Sequence, residues 1–349
     1  MYEGESINEP RDDLDVAPAL MRPKGKGGKV TAVLVLGAAV LACVLLYVLL
    51  PTDTRDQAAR ALVEGILLGG VYALLALGVV VVYKSTQVFN LTFGAVMMFL
   101  SYFAWWLISS AGLPVWLSLV LVVVVGIIIG LAINRIFMIP MIGDPGLGAF
   151  IVTMVLGLSV IYGLAILLFK GSPQVMPKIL PSGNAMLGPI SFSYTWLVAF
   201  VIAIALFVLF IAFFRFTKMG LGMRVVSENP IVAQSLGINV KRVFGMSWAI
   251  GAVTAGVCGV LLGSMFAVTT DLSGFALSRA FPVLLLGGMD SLPGALLAAF
   301  IIGITETVAG VYIDPHVVGF REILPYVIMV IILMVRPNGL FGSREIRRI

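Results

Sequence analysis

The sequence predicts an all-α fold, a polytopic membrane helix bundle, and three observations predict it. Of 349 residues, 60% are hydrophobic and only 11% are charged, whereas soluble domains carry about a quarter charged residues. So little charge cannot cover a water-facing surface. Apolar runs recur at the length of about 20 residues that crosses a hydrocarbon core about 30 Å thick. The 38 glycines, many three or four residues apart, suit closely packed helices better than the short alternating strands of a barrel.

Residues 1–29 are polar, charged and interspersed with Gly and Pro, which reads as a disordered tail. Apolar helices are expected near 30–50, 60–83, 91–109, 114–138, 148–169, 195–214, 243–268, 277–289, 293–312 and 323–336, about ten segments in all. The run at 277–289 is too short to span upright and reads as a re-entrant or half helix. The first run lies behind the polar tail and is too long for the apolar core of a cleavable signal peptide. The chain thus divides into the tail, a separate N-terminal helix within 30–58, a main membrane domain over 59–342 and a short tail at 343–349.

Ten crossings place both termini on one side. Of the 22 Lys and Arg, 16 then fall on the side of the termini and five on the other, a bias that assigns the termini to the cytoplasm. The net charge of +5 follows from the same flanking residues and is no mark of nucleic-acid binding. Cys43 and Cys258 both lie in apolar runs, as packing residues do, and the single histidine, His316, removes most metal and histidine-based schemes.

Two connections are long. The outer one, roughly 170–194, holds Pro173, Pro177, Pro181 and Pro189. The inner one, roughly 215–242, is basic at both ends and reads as a short helix in its middle, with Ser227 as N-cap, Pro230 in the first turn and Gly237 as the stop. An ordinary connector is the alternative reading. Two breaks also suggest an internal inverted repeat. One Gly-rich helix ends at Lys84–Gln87 and is followed by Asn90, Thr92 and Gly94; another ends at Thr269, Thr270 and Asp271 and is followed by Ser273 and Gly274. The expected topology puts the first break at the inner face and the second at the outer face. Paired breaks of this kind mark transport paths.

Charges within a bilayer cost roughly 2.5–3.5 kcal/mol each on insertion scales, which singles out Glu306 and Arg279. Glu306 is either a polar contact in a path or a carboxylate tied into a buried network. Arg279 pairs with Asp271 or Glu306 as a structural bridge, or meets a substrate. Glu64 and Asp290 lie nearer the interfaces, where burial costs less. No Walker A, HExxH or GxSxG motif is present, so energy for any transport comes from an ion gradient or from partner chains.

From about Glu64 to Phe341 the chain resembles the permease subunits of branched-chain amino acid type ABC importers. The resemblance is carried by Gly69-Gly70-Val71-Tyr72-Ala73-Leu74-Leu75-Ala76-Leu77-Gly78, Asn90-x-x-x-Gly94, Lys218-Met219-Gly220, Gly237-Ile238-Asn239, Leu286-Gly287-Gly288-Met289-Asp290-Ser291-Leu292-Pro293-Gly294-Ala295 and Arg336-Pro337-Asn338-Gly339-Leu340-Phe341-Gly342. It implies that 59–342 is a permease domain without an ATPase site, paired with a second homologous permease and resting on two cytoplasmic ATPases that hold ATP and Mg. An extracytoplasmic solute-binding protein would deliver the cargo to the outer loop. Glu228, Ala233, Gln234, Leu236 and Gly237 would form the ATPase coupling helix. Asn90, Thr92, Phe93, Gly94, Thr270, Asp271, Arg279 and Glu306 would lie along the substrate path. The chain departs from the family in its N-terminal helix, in Glu64 where the family often has Asn, and in Phe93 and Ala95 where it often has His and Glu. The last departure makes an aromatic or aliphatic carboxylate a rival to a branched-chain amino acid as cargo. An ion-coupled secondary transporter and an intramembrane enzyme using Asp271, Asp290 or Glu306 as acid–base groups are the other readings.

Overall fold

The structure, a computed structural model, describes residues 52–142, 146–187 and 190–342. The helix expected at 30–50 and both tails lie outside them. Among the described residues, seven helical stretches are long and apolar enough to cross a membrane: Asp56–Thr86, Thr92–Ser109, Val115–Met141, Leu147–Phe169, Tyr194–Phe216, Val240–Met265 and Leu292–Tyr312.

Helix α1 (Thr52–Thr86) is the spine, and α2 (Thr92–Ser109) follows after the Asn90 break. Helix α3 (Val115–Ile133) runs on through a π turn, Asn134–Met138. The next crossing is α4 (Gly146–Val155) and α5 (Tyr162–Phe169), joined without interruption by a π turn at Leu156–Ile161. A hairpin of β1 (Asn184–Leu187) and β2 (Ile190–Ser193) then forms within the expected outer loop. Helix α6 (Tyr194–Phe216) crosses back to α7 (Lys218–Glu228) and α8 (Pro230–Ser235). Last come α9 (Val240–Met265), α10 (Leu272–Gly287), α11 (Leu292–Tyr312) and α12 (Phe320–Val335).

The centre is built on small residues. Helix α11 crosses α1 where Gly303 faces Gly65 and Gly69, and a Cβ on Gly303 would lie 2.6 Å from the Gly65 carbonyl oxygen. Gly259 of α9 meets α2 in the same way, 2.4 Å from the Met97 oxygen for an added Cβ. Removing Cβ atoms lets backbones approach in an environment where hydrophobicity gives no drive to associate.

Two local expectations are corrected. The short membrane segment begins at Leu272 rather than 277; Gly274 has open space around it and is carried inside the helix instead of breaking it. Its 16 residues rise about 24 Å, still short of a hydrocarbon core. Ser227 does not cap the connector helix. It lies in the last turn of α7, where its hydroxyl donates to the Arg224 carbonyl, and the cap is Asn229, whose Oδ1 accepts from Ile231 N at 2.9 Å and Val232 N at 3.1 Å. Two helices thus meet at Asn229 where one was expected.

The first Gly-rich helix ends where Lys84 Nζ reaches Asp290 O at 3.1 Å and lies over the Phe214 ring, whereas the second ends where Val268 pairs with Gln174, so the two helices end at different ends of the bundle. Phe89 O and Leu91 N both bond Thr153 Oγ1 of α4, and Gly157 packs on Leu91 and Thr92. This sets the first break beside the middle of the α4–α5 crossing. There the start of α2 meets the start of α10: a Cβ on Gly94 would lie 2.3 Å from the Ser273 carbonyl oxygen. Phe89 reaches Phe281 edge-on, with centroids 5.5 Å apart.

Candidate functional site

Among the described residues one charged pair is buried. Arg279, in the second turn of α10, bonds Glu306 of α11 through Nη2 at 2.8 Å and Nε at 3.3 Å, both to Oε1. The other carboxylate oxygen accepts from the Tyr72 hydroxyl of α1 at 2.9 Å. Arg279 Nη1 donates to Ser278 Oγ at 2.8 Å, and the guanidinium lies 4.3 Å from the Phe275 ring centre. Three helices are tied at one point, and every hydrogen-bond partner is charged or strongly polar. A pair this deep is stable only when such further bonds satisfy it.

The pair forms one wall of a cavity of about 680 Å³. Trp196, Phe266 and Phe275 make a chain of ring contacts along it, with centroids 5.7 and 5.8 Å apart. Glu64, Asp271, Arg321 and Glu322 add charge at its edges. The cavity lies toward the end of the bundle that carries the hairpin, because Trp196 begins α6 and Phe266 follows the end of α9.

Of the residues expected along the path, Asp271, Arg279 and Glu306 come together on this cavity. Thr270 turns its methyl toward the position of Gly171, and its neighbour Thr269 lines the wall instead. Asn90, Thr92, Phe93 and Gly94 lie outside it. Asn90 Oδ1 accepts from the backbone N–H and the hydroxyl of Thr92, closing the first turn of α2. Phe93 is buried against Gly78, and Gly94 is the contact with α10. Tyr72, Trp196, Phe266 and Phe275 were not singled out by sequence reasoning. For Tyr72 a signal existed: it is the one side chain with a hydrogen-bonding group between Glu64 and Tyr83.

The residues expected to couple to an ATPase lie at the other end. Ala233 is buried, while Glu228, Gln234 and Leu236 are exposed, with Ile231 and Val232 beside them. Gly237 takes a φ of +78°. Its N–H bonds Gln234 O and the Ile238 N–H bonds Ala233 O, both at 2.9 Å, a Schellman closure that calls for glycine.

An all-α membrane bundle with an internal charged cavity defines a class of membrane transport protein, and comparison gives the family. The family model described as "Branched-chain amino acid transport system / permease component" matches residues 61–333. The chain is 31% identical over 304 residues to the high-affinity branched-chain amino acid transport system permease protein LivH of Escherichia coli K12, covering 82% of this chain and 96% of the relative. It is 27% identical to BraD of Pseudomonas aeruginosa, a permease of the same description, over 83% of this chain and 97% of that one. The nucleoside ABC transporter permease NupC of Lactococcus lactis is 28% identical over 44% of this chain and 50% of its own length. No solved structure matches. The chain belongs to the permease-component family of branched-chain amino acid transport systems.

Proposed function

We propose that this chain is a transmembrane permease subunit of an ABC importer, with its termini in the cytoplasm, and that it moves a branched-chain amino acid or a related apolar carboxylate inward. The family match across residues 61–333 carries the reading. The cavity supports the solute class: aromatic rings face an aliphatic or aromatic side chain, and the charged rim suits a zwitterionic or carboxylate head. Phe93 and Ala95 are buried away from this cavity, so they do not lower its polarity and the amino acid reading keeps its place.

In this reading a second homologous permease completes the path, a solute-binding protein delivers cargo at the hairpin end, and two ATPases dock at α8. The exposed Ile231, Val232 and Leu236 give α8 an apolar face for such a partner. Binding of solute alone cannot drive accumulation, because a ligand shifts an equilibrium only by its differential affinity for the two states. The ATP-bound partners supply the bias through α8, and the α2–α10 contact near Gly94 is where outward-open and inward-open arrangements differ.

The test is co-purification followed by reconstitution. Leucine uptake into liposomes that requires ATP on the ATPase side and the associated ATPases is the expected result. Uptake by the isolated chain on an ion gradient would overturn the importer reading. Gly237→Trp forces a side chain into left-handed backbone, which costs about 1–2 kcal/mol, and breaks the α8 stop. Uptake should fall at least about tenfold while the ATPases keep hydrolysing; unchanged, ATP-coupled uptake would remove α8 from the coupling role.

A further inference from the structure

A groove of about 1350 Å³, larger than the charged cavity, lies at the other end of the bundle. Helices α3 and α6 are its walls, and α9 with part of α1 is its floor. From Arg242 to Val257 along α9 it runs about 22 Å at the helical rise. The lining is almost wholly apolar there, with Ile127, Leu131, Leu209 and Met246 exposed. Its mouth is different. Arg135, Lys241 and Arg242 converge on it, all exposed, and among the described residues none of the three has an ion-pair partner. Beside them Asn134 is 3% exposed, and its Oδ1 is buried without a hydrogen-bond partner. A buried amide oxygen left unpaired is costly, which marks it as the place for a donor supplied from outside the chain.

A lone apolar face would say nothing about its occupant, but this one is defined at both ends. An occupant needs a long apolar body, a negative charge at one end and a hydroxyl or similar donor beside that charge. We infer that the groove binds an anionic glycerophospholipid of the phosphatidylglycerol class. Its acyl chains lie between α3 and α6, its phosphodiester meets Arg135, Lys241 and Arg242, and a headgroup hydroxyl donates to Asn134 Oδ1. Basic side chains at a membrane surface attract anionic lipids in general; the built groove adds selectivity for one position.

The full-length chain with its associated subunits, placed in nanodiscs of equimolar phosphatidylglycerol and phosphatidylcholine and then released for native mass spectrometry, should retain phosphatidylglycerol at least about tenfold over phosphatidylcholine. The variant Arg135→Gln/Lys241→Gln/Arg242→Gln should lose that preference, whereas Arg215→Gln/Lys218→Gln, at the same end but outside the groove, should keep it. Met246→Trp, which fills the apolar part and leaves the cations intact, should also lose the lipid. Equal retention of the two lipids by the unaltered chain, or equal loss in the control variant, overturns the assignment. So does a photoreactive residue at position 246 that crosslinks to the 30–50 segment or to another polypeptide instead of lipid.

Discussion

Helices α6 and α9 are wall and floor of the same groove, yet they solve opposite problems. The span Tyr194–Phe216 is strongly apolar and mostly exposed, whereas Val240–Met265 is much less apolar and mostly buried. The more apolar helix is the more exposed one. In water this ordering would be unstable. In a bilayer the surroundings are as apolar as leucine, so greasy side chains gain nothing by turning inward. What must be hidden there is backbone, hydroxyl and charge. Helix α9 accordingly carries Gly251, Gly256, Gly259 and Gly263, while α6 has no glycine and presents Val201, Val208 and Leu209 outward.

That contrast can be broken by substitution, and the largest effect is expected at the glycine crossing. Gly303→Leu puts a side chain where even a Cβ would meet the Gly65 oxygen at 2.6 Å. Overpacking of this kind costs about 3 kcal/mol or more, and the yield of monodisperse protein should collapse. Gly163→Leu, where nothing lies within 4 Å of the added atom, should leave yield and thermal midpoint unchanged. Equal effects at both positions would show that close approach is not what the central glycines serve.

A comparable loss follows from splitting the buried pair. Arg279→Met strands Glu306 without its cation, at a cost of about 3–5 kcal/mol. Adding Glu306→Met removes the stranded charge and should restore most of the thermal midpoint. If the double variant regains stability but not leucine uptake, the pair belongs to transport; if it regains both, the pair only pins α10 to α11. The surface pair gives the smallest effect. Arg321 Nε lies 3.4 Å from Asp314 Oδ2 with its side chain over half exposed, and Arg321→Ala should change stability by at most about 1 kcal/mol.

How much of this was legible in sequence depends on what each feature needs. Helix positions were legible because a membrane span is a local property of about 20 consecutive residues. Glu306 and Arg279 were legible because charge inside such a run is expensive and therefore conspicuous. The Schellman closure at Gly237 was legible because the backbone conformation there favours one residue type. Asn229 was missed as a cap because Ser227, two residues earlier, offers the same chemistry, and only the path of α7 decides between them. The hairpin at 184–193 was read as loop because its Pro and Gly residues mask two four-residue strands.

The sequence by itself determined that the chain lives in a bilayer, where most of its long apolar helices fall, which charges are out of place, and, through its motifs, the family it belongs to. Only the tertiary structure decided that Arg279 pairs with Glu306 rather than Asp271, that Tyr72 is the third member, and that the starts of α2 and α10 meet inside the bundle. It also decided that Arg135, Lys241 and Arg242 share the mouth of one groove. The physical reason is common to all four. Insertion cost is summed along one helix and is written in consecutive residues, whereas pairing depends on how helices far apart in the chain rotate and slide against each other. That is set by the shapes of the small-residue contacts, Gly65 on Gly303 and Gly94 on Ser273, which no single segment contains.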